Sequence, residues 1–196
     1  MMRLNPRIAI LLAAILLSAN PALAHTGGTL GGLASGLMHP ITGLDHVVAM
    51  VAVGLWGGIL GGTLLWQLPV LFPLVMAFAG AAGAYGLPLP GVETGIALSG
   101  VVLGIMVLTF ARAPRWVALT LVGIFAVFHG HAHGAELPVA ANPLVYAIGF
   151  VVATGLLHLA GIAVGLLSQW PNGKMMVRAV GAAIALTGGA FLTGLA

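Results

Sequence analysis

The sequence predicts an all-α membrane protein with about six transmembrane helices after a cleaved N-terminal signal peptide. Three observations support this fold class. Of the 196 residues, 61% are hydrophobic and 5% are charged, whereas a soluble domain carries about 25% charged residues. The mean hydropathy is +1.18, so lipid rather than water must surround the chain. Prolines and glycines also divide most of the sequence into apolar segments long enough to cross a bilayer.

Residues 1–24 are typical of a secretory signal peptide, with two arginines before an apolar core at residues 8–17 and a small-x-small cleavage site at residues 22–24. The core is shorter than the roughly 20 residues that a membrane helix needs. An uncleaved first helix is the alternative. Cleavage would leave residues 25–196 as a single transmembrane domain. His25 would then be its first residue, where the amine and the imidazole could together bind a metal.

Six apolar segments follow, and their lengths at 1.5 Å per residue match a hydrocarbon core of about 30 Å. The predicted spans are Pro40–Leu60, Leu64–Tyr85, Val92–Ala111, Trp116–Glu136, Leu144–Leu167 and Met176–Leu195. Before the first span we expect a glycine-rich interfacial or re-entrant segment. Proline has no amide hydrogen and disfavours helix at the preceding residue, so the first span is expected to begin near Pro40.

The charges predict the orientation of these spans. An outside N-terminus places the loops at residues 61–63, 112–115 and 168–175 in the cytoplasm. The basic residues beyond the signal peptide lie in these loops or in the turn after them: Arg112, Arg115, Lys174 and Arg178. This agrees with the positive-inside rule. The tryptophans are expected at the same interface: Trp56, Trp66, Trp116 and Trp170. We therefore predict a multi-pass protein of the bacterial inner (cytoplasmic) membrane, with both mature termini in the periplasm.

Two groups of ionisable residues lie within these apolar segments. One extends from His39 to His46 and includes Asp45, and the other extends from His129 to Glu136. Removing such groups from water costs several kcal/mol each unless they are paired, coordinated or hydrated. On a helix His129, His133 and Glu136 share one stripe, and both groups fall in the outer half of the membrane. We therefore expect a functional polar site there.

Imidazole and carboxylate ligands without thiolates suit Zn²⁺, Cu²⁺, Ni²⁺ or Co²⁺, and the chain has no cysteine. The predicted metal-binding residues are His39, Asp45, His46, Glu93, His129, His133 and Glu136, with His25 and His158 as further candidates. Asp45 either binds the metal or orients a ligating histidine. His158, deeper in the fifth span, is either part of an ion path or a histidine hydrogen-bonded to Thr154 or another neighbour.

The glycines have two interpretations. Most of the 30 glycines are expected to allow close helix packing, as at Gly57/Gly61 and Gly161/Gly165. Gly130 and Gly134 lie next to the histidines, where the absence of a side chain could leave space for an ion.

Several functions are excluded or disfavoured. The six basic residues are too few for a nucleic-acid surface, and there is no phosphate-binding loop for ATP hydrolysis. The chain is predicted not to be an enzyme. No permanently bound cofactor and no ATPase subunit are indicated, so the expected partners are a divalent metal ion and the bilayer. A metal-binding site within the membrane suggests transport of the ion. The alternatives are a non-transporting metal sensor and a b-type cytochrome with His46 and His129 or His133 as axial ligands. An intramembrane metalloprotease is a further alternative, which the missing His-Glu-x-x-His motif disfavours.

The two motifs resemble those of the HupE/UreJ family of hydrogenase and urease accessory nickel permeases. That family pairs His-Pro-x-x-Gly-x-Asp-His with Phe-His-Gly-x-x-His-Gly-x-Glu, and this chain matches both, at residues 39–46 and 128–136. The resemblance implies nickel uptake for nickel–iron hydrogenase or urease assembly, with cobalt as the substrate of some relatives. The transport residues it implies are His39, Asp45, His46, His129, His133 and Glu136, and Glu93 occupies a corresponding acidic position.

Overall fold

The computed structural model describes residues 29–137, 142–170 and 172–195, with side chains from residue 32 onward. Within these ranges the chain forms seven α-helices and no strand, which confirms the all-α prediction. The helices are α1 (Thr29–Thr42), α2 (Leu44–Leu60), α3 (Leu64–Ala84), α4 (Val92–Leu108), α5 (Arg115–Ala135), α6 (Pro143–Leu166) and α7 (Gly173–Thr193), and a 3₁₀ turn, Leu167–Gln169, follows α6. The predicted signal peptide and His25 lie outside the described residues.

Four of these helices are long and apolar enough to cross a membrane: α3, α5, α6 with its 3₁₀ turn, and α7. A fifth span results if α1 and α2, which are bent by 80° relative to each other, count as one broken span. Helix α4 is apolar but has only 17 residues, or about 25 Å at 1.5 Å per residue. The architecture is therefore that of a multi-pass helical membrane protein, and the count of six spans stays a prediction.

The prediction that the first span begins near Pro40 is wrong. Pro40 lies inside α1, and the helix breaks at Gly43 before α2 begins at Leu44. A Cβ at Gly43 would stand 3.0 Å from Asp45 Oδ1 and 3.1 Å from His46 Nδ1. Glycine therefore leaves the space in which this Asp–His pair forms, directly after the break. A separate segment does precede the span, as expected, but it is a helix.

The other predicted spans differ from the observed helices by one to three residues at most of their ends. Helix α4 ends at Leu108 rather than Ala111, and Phe110 has a φ of 53°. That left-handed conformation cannot continue a right-handed helix, so the chain turns toward α5 earlier than the apolar pattern indicates.

Glycine allows three pairs of helices to cross at backbone contact. A Cβ at Gly161 of α6 would strike the backbone of α2, and a Cβ at Gly134 of α5 would strike that of α3. Similarly, a Cβ at Gly104 of α4 would overlap Ala185 of α7. Small residues at such crossings let helices approach closely in lipid, where the hydrophobic effect does not drive association.

Two of the glycine interpretations need correction. Gly130 and Gly134 leave no room for an ion, because the backbone of Met76 and Gly80 fills the space beside them. Gly61 is not a packing glycine: it has a φ of 68°, ends α2, and a Cβ there would meet no described atom within 4 Å. The prediction for Gly161 and Gly165 is confirmed, since both abut the backbone of α2.

The described charges separate toward the two ends of the bundle. Asp45 and Glu93 lie in the first turns of α2 and α4, and Glu136 caps the C-terminus of α5. Arg115 begins α5 at the opposite end, where its Nε donates to Gln67 Oε1 at 3.0 Å. We call these the acidic end and the basic end. Arg178 also belongs to the basic end, since its guanidinium lies 5.5 Å from the ring centre of Phe110, beyond the end of α4.

The tryptophans at the basic end divide into two groups. Trp66, Trp116 and Trp170 are more than half exposed on the isolated chain, as expected of residues at a membrane interface. Trp56 does not face the lipid, because this residue is fully buried and its Nε1 donates to the carbonyl of Ala111 at 2.9 Å. Trp56 ties α2 to the loop between α4 and α5.

Candidate metal centre

Four histidines from three helices form a continuous row, which we call the histidine row. The ring centre of His39 on α1 lies 4.7 Å from that of His133 on α5, and His133 lies 4.3 Å from His46 on α2. His46 in turn lies 4.9 Å from His129, one turn before His133 on α5. The His39 side chain is 28% exposed, whereas His129 is fully buried. The row therefore leads from the surface at the acidic end into the interior.

The outer end of the row has the geometry of a metal site. His39, His133 and Glu136 each offer a ligand atom, and these atoms all lie within 4.8 Å of one another. His39 Nε2 is 3.4 Å from Glu136 Oε2. A polar pocket of about 300 Å³ opens beside them, lined by His39, Thr42, Gly43, Asp45, His46 and Glu136. A cation entering from the acidic end would meet these side chains first.

The helix ends add to the attraction for a cation. His39 lies in the last turn of α1 and His133 in the last turn of α5. Carbonyl groups at a helix C-terminus carry partial negative charge, which stabilises nearby cations. Two such ends converge at the outer end of the row, so the backbone carbonyls and the side chains both favour a positively charged ligand.

Asp45 orients His46. Its Oδ1 accepts hydrogen bonds from the backbone N–H of His46 at 2.9 Å and from the ring Nδ1 at 2.8 Å. With Nδ1 carrying the proton, the lone pair of the neutral ring is on Nε2, which is buried and has no hydrogen-bond partner among the described residues. A carboxylate that fixes the tautomer of a metal-binding histidine in this way is a recurring arrangement. Of the two roles predicted for Asp45, the geometry favours the orienting one.

Ser99 orients His129 in a similar way, by accepting a hydrogen bond from one ring nitrogen. The Ser99 hydroxyl donates to the carbonyl of Ile96 at 2.6 Å, so its one hydrogen is already used. Its contact with His129 Nε2, at 2.9 Å, must then be one in which the ring nitrogen donates. This leaves the lone pair on His129 Nδ1, which is buried and unpartnered in the part of the chain that the structure describes.

Among the described residues, four of the eight buried polar side-chain atoms that lack a hydrogen-bond partner belong to the histidine row. Within the described residues they are His46 Nε2, His129 Nδ1, both ring nitrogens of His133, both of His158, Tyr146 Oη and Thr154 Oγ1. An unsatisfied buried polar group costs about 1–3 kcal/mol, and such groups inside a membrane mark substrate or ion paths. The free nitrogens of the row are the kind of ligands that a late transition-metal ion takes.

The remaining residues predicted for the site, and His131 between the two α5 histidines, lie apart from this cluster. Glu93 is exposed at the acidic end and does not line the pocket. His131 faces away from the row, and its Nε2 donates to the carbonyl of Leu87. His158 is fully buried on α6 and, contrary to the hydrogen-bonded alternative, neither of its ring nitrogens has a partner within the described ranges.

Sequence reasoning missed four residues that touch the histidines: Ser99, Tyr146, Phe150 and Phe72. The rings of Tyr146 and Phe150 lie 5.9 Å from His39 and 4.4 Å from His133, respectively. Only Ser99 carried a usable signal, as a polar residue in the middle of an apolar span. The aromatic residues resemble any other core residues in a helix of this composition, so nothing in the pattern distinguishes them.

Comparison with known proteins gives two matches. The family model described as "HupE / UreJ protein" matches residues 12–191. "Protein HupE" of Rhizobium leguminosarum bv. viciae is 46% identical over 173 residues, which cover 88% of this chain and 91% of that protein. No solved structure matches the chain.

Proposed function

Because the chain belongs to the HupE/UreJ family, we propose that it is a permease that moves a divalent transition-metal cation across a membrane. The observation that carries this proposal is the histidine row. It connects a polar pocket at the acidic end with buried imidazoles whose lone pairs are free of described partners. A protein that only stored or displayed a metal would need the outer ligands but not the buried ones.

The proposed direction of movement is from the acidic end to the basic end. The pocket opens at the acidic end, whereas Leu55, Trp56 and Leu68, all fully buried, fill the interior toward the basic end. The conformation therefore has an outer opening and an apolar inner closure. Transport would require this closure to open after the cation has bound, as in alternating access.

The membrane potential can drive this movement without ATP. A divalent cation that enters a negative interior gains about 4.6 kcal/mol per 100 mV, which is twice the value for a single charge. Under this proposal the basic end faces the cytoplasm, because positive residues are retained there. The protein would lie in the bacterial inner membrane, with the acidic end and both mature termini in the periplasm.

Nickel is the proposed substrate, and cobalt is the alternative. The donor set of imidazoles with one or two carboxylates suits both ions, and the family resemblance favours nickel for the assembly of hydrogenase or urease. In this proposal the metal is cargo, so the protein has no resident cofactor, no ATPase partner and no enzymatic activity. A haem between the predicted axial residues is disfavoured, because ring centres 4.9 and 4.3 Å apart leave no space for a porphyrin.

The test is uptake of radioactive nickel by cells that express the full chain. The control is a His129→Ala, His133→Ala variant at equal membrane abundance. We expect uptake above background in the native protein and none in the variant, and competition by cobalt, zinc and copper would rank the substrates. Native protein that binds nickel in detergent but gives no uptake would refute transport and support a metal sensor.

A further inference from the structure

His158 is a second buried imidazole position, separate from the histidine row. It lies on α6, is fully buried, and neither ring nitrogen has a hydrogen-bond partner among the residues that the structure describes. Thr154, one turn earlier on the same helix, is also fully buried, and its hydroxyl is likewise unpartnered there. Unpaired polar groups at this depth are expensive in a membrane protein and mark ion paths by default. Together they offer a nitrogen and an oxygen donor inside an otherwise apolar core.

Phe72 of α3 lies between this position and the inner end of the histidine row. Its ring centre is 5.6 Å from that of His129 and 5.5 Å from that of His158. The ring is fully buried. Counted from the ends of their helices at the acidic end, His129 lies six residues in, Phe72 twelve and His158 fifteen, so the order of depth is the histidine row, then Phe72, then His158. A cation that leaves His129 toward His158 would have to pass this ring.

The backbone that carries Phe72 lies between two prolines of α3. Pro69 and Pro73 lie inside α3, on either side of Phe72. Each proline removes one intrahelical hydrogen bond and is a common cause of helix kinks. A change in the bend at these prolines would move the Phe72 ring relative to α5 and α6, which hold the two histidines.

We propose that His158 is an inner metal-binding position on the transport path, and that the ring of Phe72 closes the passage to it from His129. This inference rests on the transport function proposed above. One imidazole and one hydroxyl hold a divalent ion less tightly than the outer cluster does. Weak binding at an inner position suits release, because conduction requires sites that an ion can leave.

The test separates binding from flux in the full chain. Nickel binding is measured in detergent by calorimetry, and initial nickel flux is measured in proteoliposomes, each for His158→Ala and Phe72→Ala. The matched controls are His131→Ala, an imidazole outside the row, and Phe78→Ala, an 81% exposed phenylalanine on the same helix as Phe72. His158→Gln replaces His158→Ala if the alanine variant does not reach native abundance, and Phe72→Leu likewise replaces Phe72→Ala.

We expect His158→Ala to keep the nickel Kd within twofold and to lower flux at least tenfold. Phe72→Ala should keep the Kd and raise flux several-fold, and Phe72→Leu should raise it less. Both controls should match the native protein. If the His158 variants transport nickel as fast as the native protein, His158 is not a metal-binding position on the path. If the flux of the Phe72 variants is unchanged or lower, the Phe72 ring does not close the passage. If proteoliposomes with the native protein show no nickel flux at all, the proposed transport function is wrong, and this outcome is distinct from a failure of the inner position alone.

Discussion

The hydroxyl of Ser99 accepts a hydrogen bond from Nε2 of the fully buried His129 at a distance of 2.9 Å. Because the same hydroxyl donates to the carbonyl of Ile96, the contact fixes which nitrogen of His129 can bind a metal. A single serine on α4 thus determines the chemistry of a histidine on α5.

Ser99→Ala is expected to weaken nickel binding by roughly 10- to 100-fold, the usual cost of removing a group that orients a metal-binding histidine. Ser99→Thr keeps the hydroxyl and should restore most of the affinity. Calorimetry on purified protein measures both. Thr109→Val, which removes an exposed hydroxyl bonded to its own helix, is the control. Equal losses in Ser99→Ala and Ser99→Thr would indicate a packing effect rather than an orienting hydrogen bond.

Asp45 is expected to tolerate asparagine better than alanine. The amide oxygen of the introduced asparagine could still accept from His46 Nδ1 and hold Nε2 free, whereas alanine leaves the ring without its acceptor. We expect Asp45→Asn to lie within a few-fold of native affinity and Asp45→Ala to lose roughly tenfold or more, both measured by nickel calorimetry in detergent. If the asparagine variant loses as much as the alanine variant, the charged carboxylate itself binds the metal and the orienting role is wrong.

Glu136 and Glu93 provide a matched pair of exposed carboxylates at the acidic end. Glu136 contacts the outer histidines, whereas Glu93 contacts none of the described histidines. Glu136→Gln should raise the half-saturating nickel concentration about tenfold, since a unit charge and a divalent ion 4 Å apart attract by about 2 kcal/mol in water before screening by salt. Glu93→Gln should change it less than about twofold in the same uptake assay. Similar effects of the two changes would indicate that the overall negative charge of the acidic end attracts nickel, rather than a direct contact between Glu136 and the ion.

The packing role of the glycines on α5 predicts opposite effects at two positions. A Cβ at Gly134 would overlap the backbone of Gly80, so Gly134→Ala should destabilise the bundle by at least about 1–3 kcal/mol, as overpacking does. At Gly123 a Cβ would meet only Leu71 Cδ2 among the described atoms, at 3.9 Å. Gly123→Ala should therefore be stabilising by about 0.5–1 kcal/mol, because alanine favours helix over glycine. Thermal unfolding in detergent measures both, and a native-like Gly134→Ala would restore the idea that this glycine leaves space for an ion.

Composition and hydropathy were sufficient to predict the helical membrane architecture and most helix ends, because both follow from the length of apolar segments. The position of the first break could not be predicted in the same way. Proline disfavours helix locally, but Pro40 is retained within α1, and the break falls at Gly43, where the Asp45–His46 pair needs space. The position of the break therefore depends on the side chains of Asp45 and His46, two and three residues after Gly43.

The sequence indicated which residues to consider for a candidate site, but not how they are arranged. Helical periodicity grouped His129, His133 and Glu136 correctly on one side of α5. It could not show that His133 stands between His39 and His46, since this depends on the 80° bend between α1 and α2. The orienting role of Ser99 and the position of Phe72 depend on contacts between different helices, about which a single sequence carries no direct information.

The position of His133 limits how many ions the row can hold. Its ring contacts those of both His39 and His46, at 4.7 and 4.3 Å, so the outer and inner parts of the row share it. Two divalent ions about 5 Å apart would repel each other by roughly 13 kcal/mol at an effective dielectric constant of about 20. The row therefore favours one ion at a time. An ion that binds imidazole more tightly than nickel, such as Cu²⁺, would then act as a plug that blocks every position behind it.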